Sequence, residues 1–316
     1  MLKILLNECL IDFSVSTETP LLIKSGMERV KDPDMFPVET FRNGGKEVFI
    51  PGSSLRGVIR SHAEKITRTL RQGKDPACCN PFEDKKKRDL ACSHCFTKYK
   101  QKKGAKKLDA TKIYEMSCLI CKLFGSTESA SRLMIGDAYL KDGCNAKTEK
   151  RSGVGIDRFT GGASSGALFE LEVVSSAEFE TQIYIRNFEL WQLGLLAYVF
   201  KDFKDGFVSI GYGKSRGFGK VIGRVNKIEL RYLGKNKPSA PNIRGIRKLV
   251  EGNEYGFYEE ENKDFEVAGL TDSNGDEFGF RQIYTFADDA QINSLWETVV
   301  PCWDKRVDDY QWNRGV

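Results

Sequence analysis

Four glycines fall within nine residues in Gly211-Tyr-Gly-Lys-Ser-Arg-Gly-Phe-Gly-Lys220, and no other stretch restricts the fold as strongly. Glycine reaches positive φ without penalty and lets a backbone come close to a bulky partner. Successive exposed N–H groups in such a loop form a concave anion site, to which Lys214, Ser215 and Arg216 add charge and a hydroxyl. The expected ligand is a phosphate. Spacing excludes two common phosphate loops. A dinucleotide loop needs G-x-G-x-x-G, but Arg216 stands three residues beyond Gly213. A triphosphate loop needs G-x-x-x-x-G-K-[ST]; Gly213-Lys-Ser fits its end, yet the position five before Gly213 is Val208. The loop leads instead into Val221–Tyr232, which reads as a strand.

Charge is distributed unevenly. Residues 251–316 hold 16 Asp or Glu against 5 Lys or Arg, whereas residues 1–250 hold 28 against 44. The first three quarters are suited to a polyanion, and the acidic last quarter is expected to face protein or solvent. No run of 18 apolar residues occurs and the N-terminus lacks a signal-peptide pattern, so a cytoplasmic protein without a membrane partner is expected.

Nine cysteines in a reducing compartment point to metal before disulfide. Cys92-Ser-His-Cys95 and Cys118-Leu-Ile-Cys121 form C-x2-C-x22-C-x2-C, near the spacing of a zinc ribbon. Four thiolates would close a tetrahedral structural site. Cys78, Cys79 and His94 offer more ligands than one zinc needs, and Cys79 with Cys95 and the last pair is an alternative set. Only two histidines are present; His62 falls on an apolar helical stripe, which reads as a core histidine. Hydrolytic chemistry would therefore rest on carboxylates with a divalent metal.

Along the chain, residues 2–17 predict a strand with Leu10, Ile11, Phe13 and Val15 apolar, and Met27–Gly45 reads as a long loop. A helix is expected to start at Pro51-Gly-Ser-Ser54, capped by Ser53 or Ser54, with Leu55, Ile59, His62, Ile66 and Leu70 on its apolar stripe. Its first N–H groups, flanked by Arg56 and Arg60, would take a second phosphate. Residues 73–130 read as an insertion, Arg132–Leu140 as a strand, and residues 150–166 as a Gly-, Arg- and Ser-rich arm. Strands at Leu168–Val174 and Phe179–Ile185 and a helix at Glu189–Phe203 follow. The order strand, helix, strand, strand, helix, strand predicts an α+β, ferredoxin-like βαββαβ core over residues 1–233, with the insertion and arm attached and an acidic extension at 234–316.

Five ordered stretches carry a family resemblance: Thr19-Pro-Leu-Leu-Ile-Lys-Ser-Gly26, Ile50-Pro-Gly-Ser-Ser-Leu-Arg-Gly57, Cys118-Leu-Ile-Cys-Lys-Leu-Phe-Gly125, Gly155-Ile-Asp-Arg-Phe-Thr-Gly161 and the glycine loop. Through them the chain resembles a RAMP-superfamily backbone subunit of type III CRISPR effector complexes, which serve antiviral defence. The resemblance implies partners: a CRISPR guide RNA, a target RNA and other RAMP-type subunits. It implies guide binding by Ser53, Ser54, Arg56, Arg60, Lys214, Ser215, Arg216 and Phe218. The arm, with Arg151 and Arg158, would be a thumb that wedges across the guide–target duplex and flips out a base pair. In slicing members an Asp after the first strand cuts target RNA by metal-dependent attack of the neighbouring 2′-hydroxyl. Here the loop is longer than usual, which leaves Asp34, then Asp32, then Glu39 as candidates, with Mg²⁺ as the cofactor. Two rivals differ in class. One is a structural RNA-binding subunit without nuclease activity. The other is a guide-processing endonuclease, which the scarcity of histidine disfavours.

Overall fold

The computed structural model describes residues 3–26, 33–42, 44–72, 77–81, 91–271 and 278–315. The chain runs through strand β1 (Asn7–Thr17), a hairpin of β2 (Glu39–Arg42) and β3 (Gly45–Val48), and helix α1 (Gly52–Leu70). Helices α2 (Cys92–Lys103), α3 (Ala110–Met116) and α4 (Leu119–Phe124) precede strands β4 (Leu133–Ile135) and β5 (Tyr139–Leu140). Next come β6 (Lys147–Ile156), β7 (Ala163–Ser176), β8 (Glu178–Arg186), helix α5 (Leu190–Lys204) and β9 (Val221–Leu233). Strands β10 (Asn242–Arg244), β11 (Asp264–Glu266) and β12 (Arg281–Phe286) and helix α6 (Asp289–Asp308) complete the order.

A six-stranded antiparallel sheet organises the molecule, in the order β12-β9-β1-β8-β4 with β5 also on β8. The first strand is central because its alternate residues Cys9, Ile11, Phe13 and Val15 are all buried. Ile11 lies opposite Ile183 on one side and Ile228 on the other, so three strands present one apolar face. Leu55, Ile59 and Ala63 of α1 and Leu193, Leu196, Val199 and Phe203 of α5 pack into the core formed on that face. Helix α6 lies against α5, with Trp191 and Trp303 stacked at 6.0 Å between centroids.

The structure changes several sequence expectations. Helix α1 buries Leu55, Ile59, Ala63 and Thr67, a ridge of steps of four, while Leu70 is exposed. His62 turns instead toward α5 and pairs with Asp202 at 2.5 Å. The end of the stretch read as loop belongs instead to the hairpin in which Glu39–Arg42 pairs with Gly45–Val48, and Arg42 lies 4.5 Å above the Tyr139 ring. Leu168–Val174 belongs to β7, which pairs with β6 in a separate two-stranded sheet. Its Leu171 and Val173 pack with Leu22 in a second, small core rather than in the main one.

Two stretches expected at the periphery supply interior. Phe96, Met116, Leu119, Ile120, Leu123 and Phe124, all between residues 73 and 130, join the main core. So do Tyr284, Phe286, Leu295, Val299 and Trp303 of the acidic last quarter, which adds an edge strand and a covering helix. Net charge had obscured an apolar face of α6: Ile292, Leu295, Val299, Trp303 and Val307 are buried at helical spacing while its acidic residues lie elsewhere. No helix among the described residues is long and apolar enough to cross a membrane.

Candidate nucleic-acid interface and metal centre

All four loop glycines, Gly211, Gly213, Gly217 and Gly219, have positive φ, between 74° and 82°. At Gly219 a Cβ would stand 1.9 Å from the Ile210 carbonyl oxygen, so only glycine closes the turn. The loop is anchored where Tyr212 N–H donates to Leu22 O at 2.7 Å and Gly219 N–H to Pro20 O at 2.8 Å. Lys214, Ser215 and Arg216 form one short 3-10 turn that projects into solvent. Burial, and then the nearby Lys65 ammonium, hold the Lys214 ammonium below the ordinary lysine value. An anion would relieve that repulsion.

The turn leans on the arm. Strands β6 and β7 form an antiparallel hairpin whose tip is tied by Asp157, which accepts hydrogen bonds from Phe159 N–H and Thr160 N–H at 2.9 and 2.8 Å. Those backbone donors depress the Asp157 carboxyl below its usual value. Ile156, Phe159 and Leu168 are exposed near the tip, with Phe159 fully so. Arg158 stands at the tip and Arg151 farther down β6. At the base of the hairpin, Arg151 lies 5.8 Å from the Phe218 ring, and Arg216 lies 5.5 Å from Phe169 and 5.9 Å from Tyr212. These are flat, cation-bearing surfaces of the kind on which bases stack.

Asp34 arrives at the same place. Its exposed carboxylate accepts a hydrogen bond through Oδ2 from Glu170 N–H at 2.9 Å, one residue from Phe169. Met35 N–H donates to Glu170 O at 3.2 Å and Glu172 N–H to Met35 O at 2.8 Å, so this segment lies alongside the base of β7. Asp34, Arg151, Arg216 and Phe218 thus converge around Phe169–Leu171. Glu39 begins β2, while Asp32 lies outside the described residues. Phe169 and Tyr212 were not singled out from sequence; an aromatic within the loop itself was the available signal for Tyr212.

The start of α1 differs from expectation. Neither Ser53 nor Ser54 caps it; the N-cap is Pro51, and the Asp137 carboxylate accepts from Gly52 N–H at 2.7 Å. A carboxylate from the turn between β4 and β5 therefore already serves the helix start, and Ser53 remains exposed beside it. Arg56 donates to the Phe124 carbonyl. Arg60 donates to Glu64 at 3.1 Å, to Gly125 O at 3.4 Å and to Cys121 Sγ at 3.7 Å. The two arginines thereby brace α4 and the cysteines.

Cys79, Cys92, Cys118 and Cys121 are all buried, with their sulfurs within 4.8 Å of one another. Cys118 and Cys121 flank the first turn of α4, Cys92 begins α2, and Cys79 comes from the segment after α1. The Cys79 and Cys121 sulfurs are 3.6 Å apart, close to the ~3.8 Å expected across a tetrahedron with Zn–S bonds of about 2.3 Å. Cys118 N–H donates to Cys92 Sγ at 3.2 Å and Cys121 N–H to Cys118 Sγ at 3.4 Å, as suits thiolates. Hydrogen bonds with Cys118, Cys121 and Cys92 hold Cys79 far below the ordinary thiol value. The four can hold a metal such as zinc. Cys95 is buried one turn along α2 and stands outside this group, as does the half-buried His94. Spacing alone favours paired motifs, which is why Cys79 ranked behind Cys95.

A second charged cluster had no sequence signal beyond a lysine inside Cys-Leu-Ile-Cys-Lys-Leu-Phe. Glu189, 1% exposed, accepts from the Tyr114 hydroxyl and from Tyr258 N–H at 2.9 Å, with Arg132 at 3.8 Å. Burial raises its carboxyl, but Arg132, Lys122 and Tyr114 more than offset this and leave it below the usual range. Burial, then Arg306, brings the Lys122 ammonium down to about 8.

A sequence profile described as the RAMP superfamily matches residues 14–222, more than half of the chain. Proteins of this superfamily generally bind CRISPR RNA in Cas complexes. No curated protein matches the chain.

Proposed function

Because this chain belongs to the RAMP superfamily, we propose that it is a guide-RNA-binding backbone subunit of a type III CRISPR ribonucleoprotein, acting in antiviral defence, that cleaves guide-complementary target RNA. One observation carries the reading: the Asp34 carboxylate sits at the base of an exposed arm, beside the cation-bearing rings of the glycine loop. The sheet order, with the last core strand beside the first and the helices on one face, supports a ferredoxin-like core to which β12 and α6 are added. RNA phosphates lie along Lys214, Ser215 and Arg216, with Ser53, Arg151 and Arg158 bordering the same path, while Arg56 and Arg60 act through the cysteine cluster.

The exposed apolar tip around Phe159 opens the duplex, and the distorted backbone brings a 2′-hydroxyl in line with its own phosphate. Asp34 orients that hydroxyl and accepts its proton; the oxygen then attacks phosphorus, the bond from phosphorus to the 5′-oxygen breaks, and that oxygen takes a proton from water, giving a 2′,3′-cyclic phosphate and a 5′-hydroxyl end. Oδ1 of Asp34 accepts no hydrogen bond among the described residues, so one oxygen can hold the arm while the other serves RNA. A divalent ion such as Mg²⁺, held by Asp34 and RNA phosphate oxygens, would supply positive charge at the phosphate. On gels of labelled target RNA with the assembled complex, Asp34→Ala should abolish cleavage and leave target binding nearly intact. Cleavage at the wild-type rate would remove Asp34 from the mechanism, and a dead Asp32→Ala alone would move the role to Asp32.

The hydrogen bond to Glu170 N–H also favours a second reading, in which Asp34 only fixes the arm and the subunit binds RNA without cutting it. Unchanged cleavage on removing both aspartates would establish that reading.

A further inference from the structure

A cavity of about 300 Å³ opens between the glycine loop, residues 23–24 and the first turns of α1. Its walls are Ile23, Ile50, Leu55, Val58 and Ile210, and Ser54, Lys24 and Tyr212 complete the lining. Leu55, Ile50 and Ile210 are core residues, so the floor is rigid and apolar. The near wall is fixed in place: Gly211 has φ +79°, and a Cβ there would meet Leu22 O at 2.4 Å. The Ser54 hydroxyl donates to no group among the described residues, since the start of α1 is served by Asp137. We propose that this cavity binds one unpaired nucleobase of the RNA whose phosphates lie on the glycine loop.

The surroundings of the cavity favour a base. The volume is at the lower end of the range for small-ligand sites, enough for one flat ring system. Apolar walls suit the faces of a base, and the hydroxyls of Ser54 and Tyr212 suit its polar edge. The exposed Lys24 lines the cavity itself, and the loop that forms its near wall carries Lys214 two residues beyond Tyr212, close enough to Lys65 for their charges to repel. An apolar peptide side chain would gain nothing from that charge, whereas a nucleotide places its phosphate on the cations and its base in the cavity. Because the polar side groups of the lining are the Ser54 and Tyr212 hydroxyls, which both donate and accept, and the Lys24 ammonium, which any RNA phosphate satisfies, the site tolerates any base; it holds register rather than reading sequence.

The proposal rests on the glycine loop as an RNA site, and the test separates the two. Affinity of the full chain is measured for a single-stranded RNA of about ten nucleotides and for the same ribose–phosphate backbone without bases. Base removal should weaken binding roughly ten-fold or more for the native protein. In Val58→Phe, which fills the cavity, intact RNA should bind more weakly and the penalty for base removal should shrink. Ile23→Phe fills the same space from the opposite wall, and melting curves establish that each variant is folded. If base removal costs nothing in the native protein, or costs the same in the filled variants, the cavity is not a base site. Neutralising Lys214 and Arg216 in parallel distinguishes the failures: if that change weakens binding, the loop reading survives alone, and if no variant alters RNA affinity, both readings fall. Should both filled variants unfold, the native comparison still decides against the cavity when base removal has no effect.

Discussion

Around Glu189 the molecule buries its charges and pairs them, whereas around Arg216 it exposes them and lays them on rings. In the first region Tyr114 on α3, Lys122 on α4, Arg132 before β4, and Tyr258 and Arg306 from the last quarter meet one carboxylate. Lys122 and Arg132 lie 4.4 and 4.2 Å from the Tyr114 ring. Ions so deep in the protein are tolerated only with compensating partners, and removal of one partner leaves the rest stranded. In the second region Arg216 lies over Phe169, and Arg151, paired with Glu149 at 2.7 Å, lies over Phe218, all near the surface where solvent screens the charges. The first arrangement holds three distant parts of the sequence together; the second is ready for an anionic partner. Substitutions should therefore divide cleanly, with stability lost in one region and RNA affinity in the other.

The largest effect is expected next to the buried region. Replacing Cys118 and Cys121 by serine, or stripping metal with a chelator, removes ligation that contributes on the order of 10 kcal/mol in small zinc modules. Because α4 is part of the main core, the loss should lower one cooperative melting transition rather than unfold a detached loop. Metal analysis should find one zinc per chain; its absence, or an unchanged melt after chelation, would contradict a structural metal.

Breaking the buried network comes next. Glu189→Ala leaves Lys122, Arg132 and Arg306 without their shared carboxylate and should cost about 3–5 kcal/mol in denaturant unfolding. Glu189→Gln keeps the shape and loses the charge, and should fall between it and wild type. A cost within about 0.5 kcal/mol for Glu189→Ala would mean that this cluster does not hold the parts together.

These two regions were not equally legible in the sequence. The glycine loop could be read because its chemistry is local: four glycines with positive φ and three polar residues stand together in one stretch. The central strand and both covering helices were legible from periodicity for the same reason. The Glu189 cluster was not, since its members come from three distant parts of the sequence and each reads as an ordinary charged or aromatic residue. Cys79 shows the intermediate case, a ligand type visible in sequence whose partners only the fold selects. The last quarter was misjudged because net charge averages over faces: α6 is acidic as a whole and apolar where it meets α5.

A smaller effect is expected at Asp34, which stands between the two kinds of region because it is exposed yet bonded to the arm. Asp34→Ala removes one hydrogen bond to Glu170 N–H and should cost about 1–2 kcal/mol at most. Asp34→Asn retains an acceptor for that N–H and should restore most of the stability without restoring cleavage. Recovery of cleavage by Asn would show that the carboxylate acts by holding the arm.

The smallest change in stability belongs to the loop cations. Lys214 and Arg216 lie in an exposed turn, and the Arg216 guanidinium touches only partly buried rings, so replacing both by alanine should alter unfolding by no more than about 0.5 kcal/mol. Affinity for RNA should respond far more strongly. Each phosphate contact on a single strand releases condensed counterions, so losing two should reduce the slope of log affinity against log salt by roughly one to two units. The loss should be the same for RNAs of different sequence, because phosphates carry no base identity. If the slope is unchanged while affinity falls, the two side chains act by stacking on bases over Phe169 and Tyr212, and the cations serve as ring covers. If instead stability falls along with affinity, the turn is holding the base of the arm in place, and the contrast with the Glu189 region disappears.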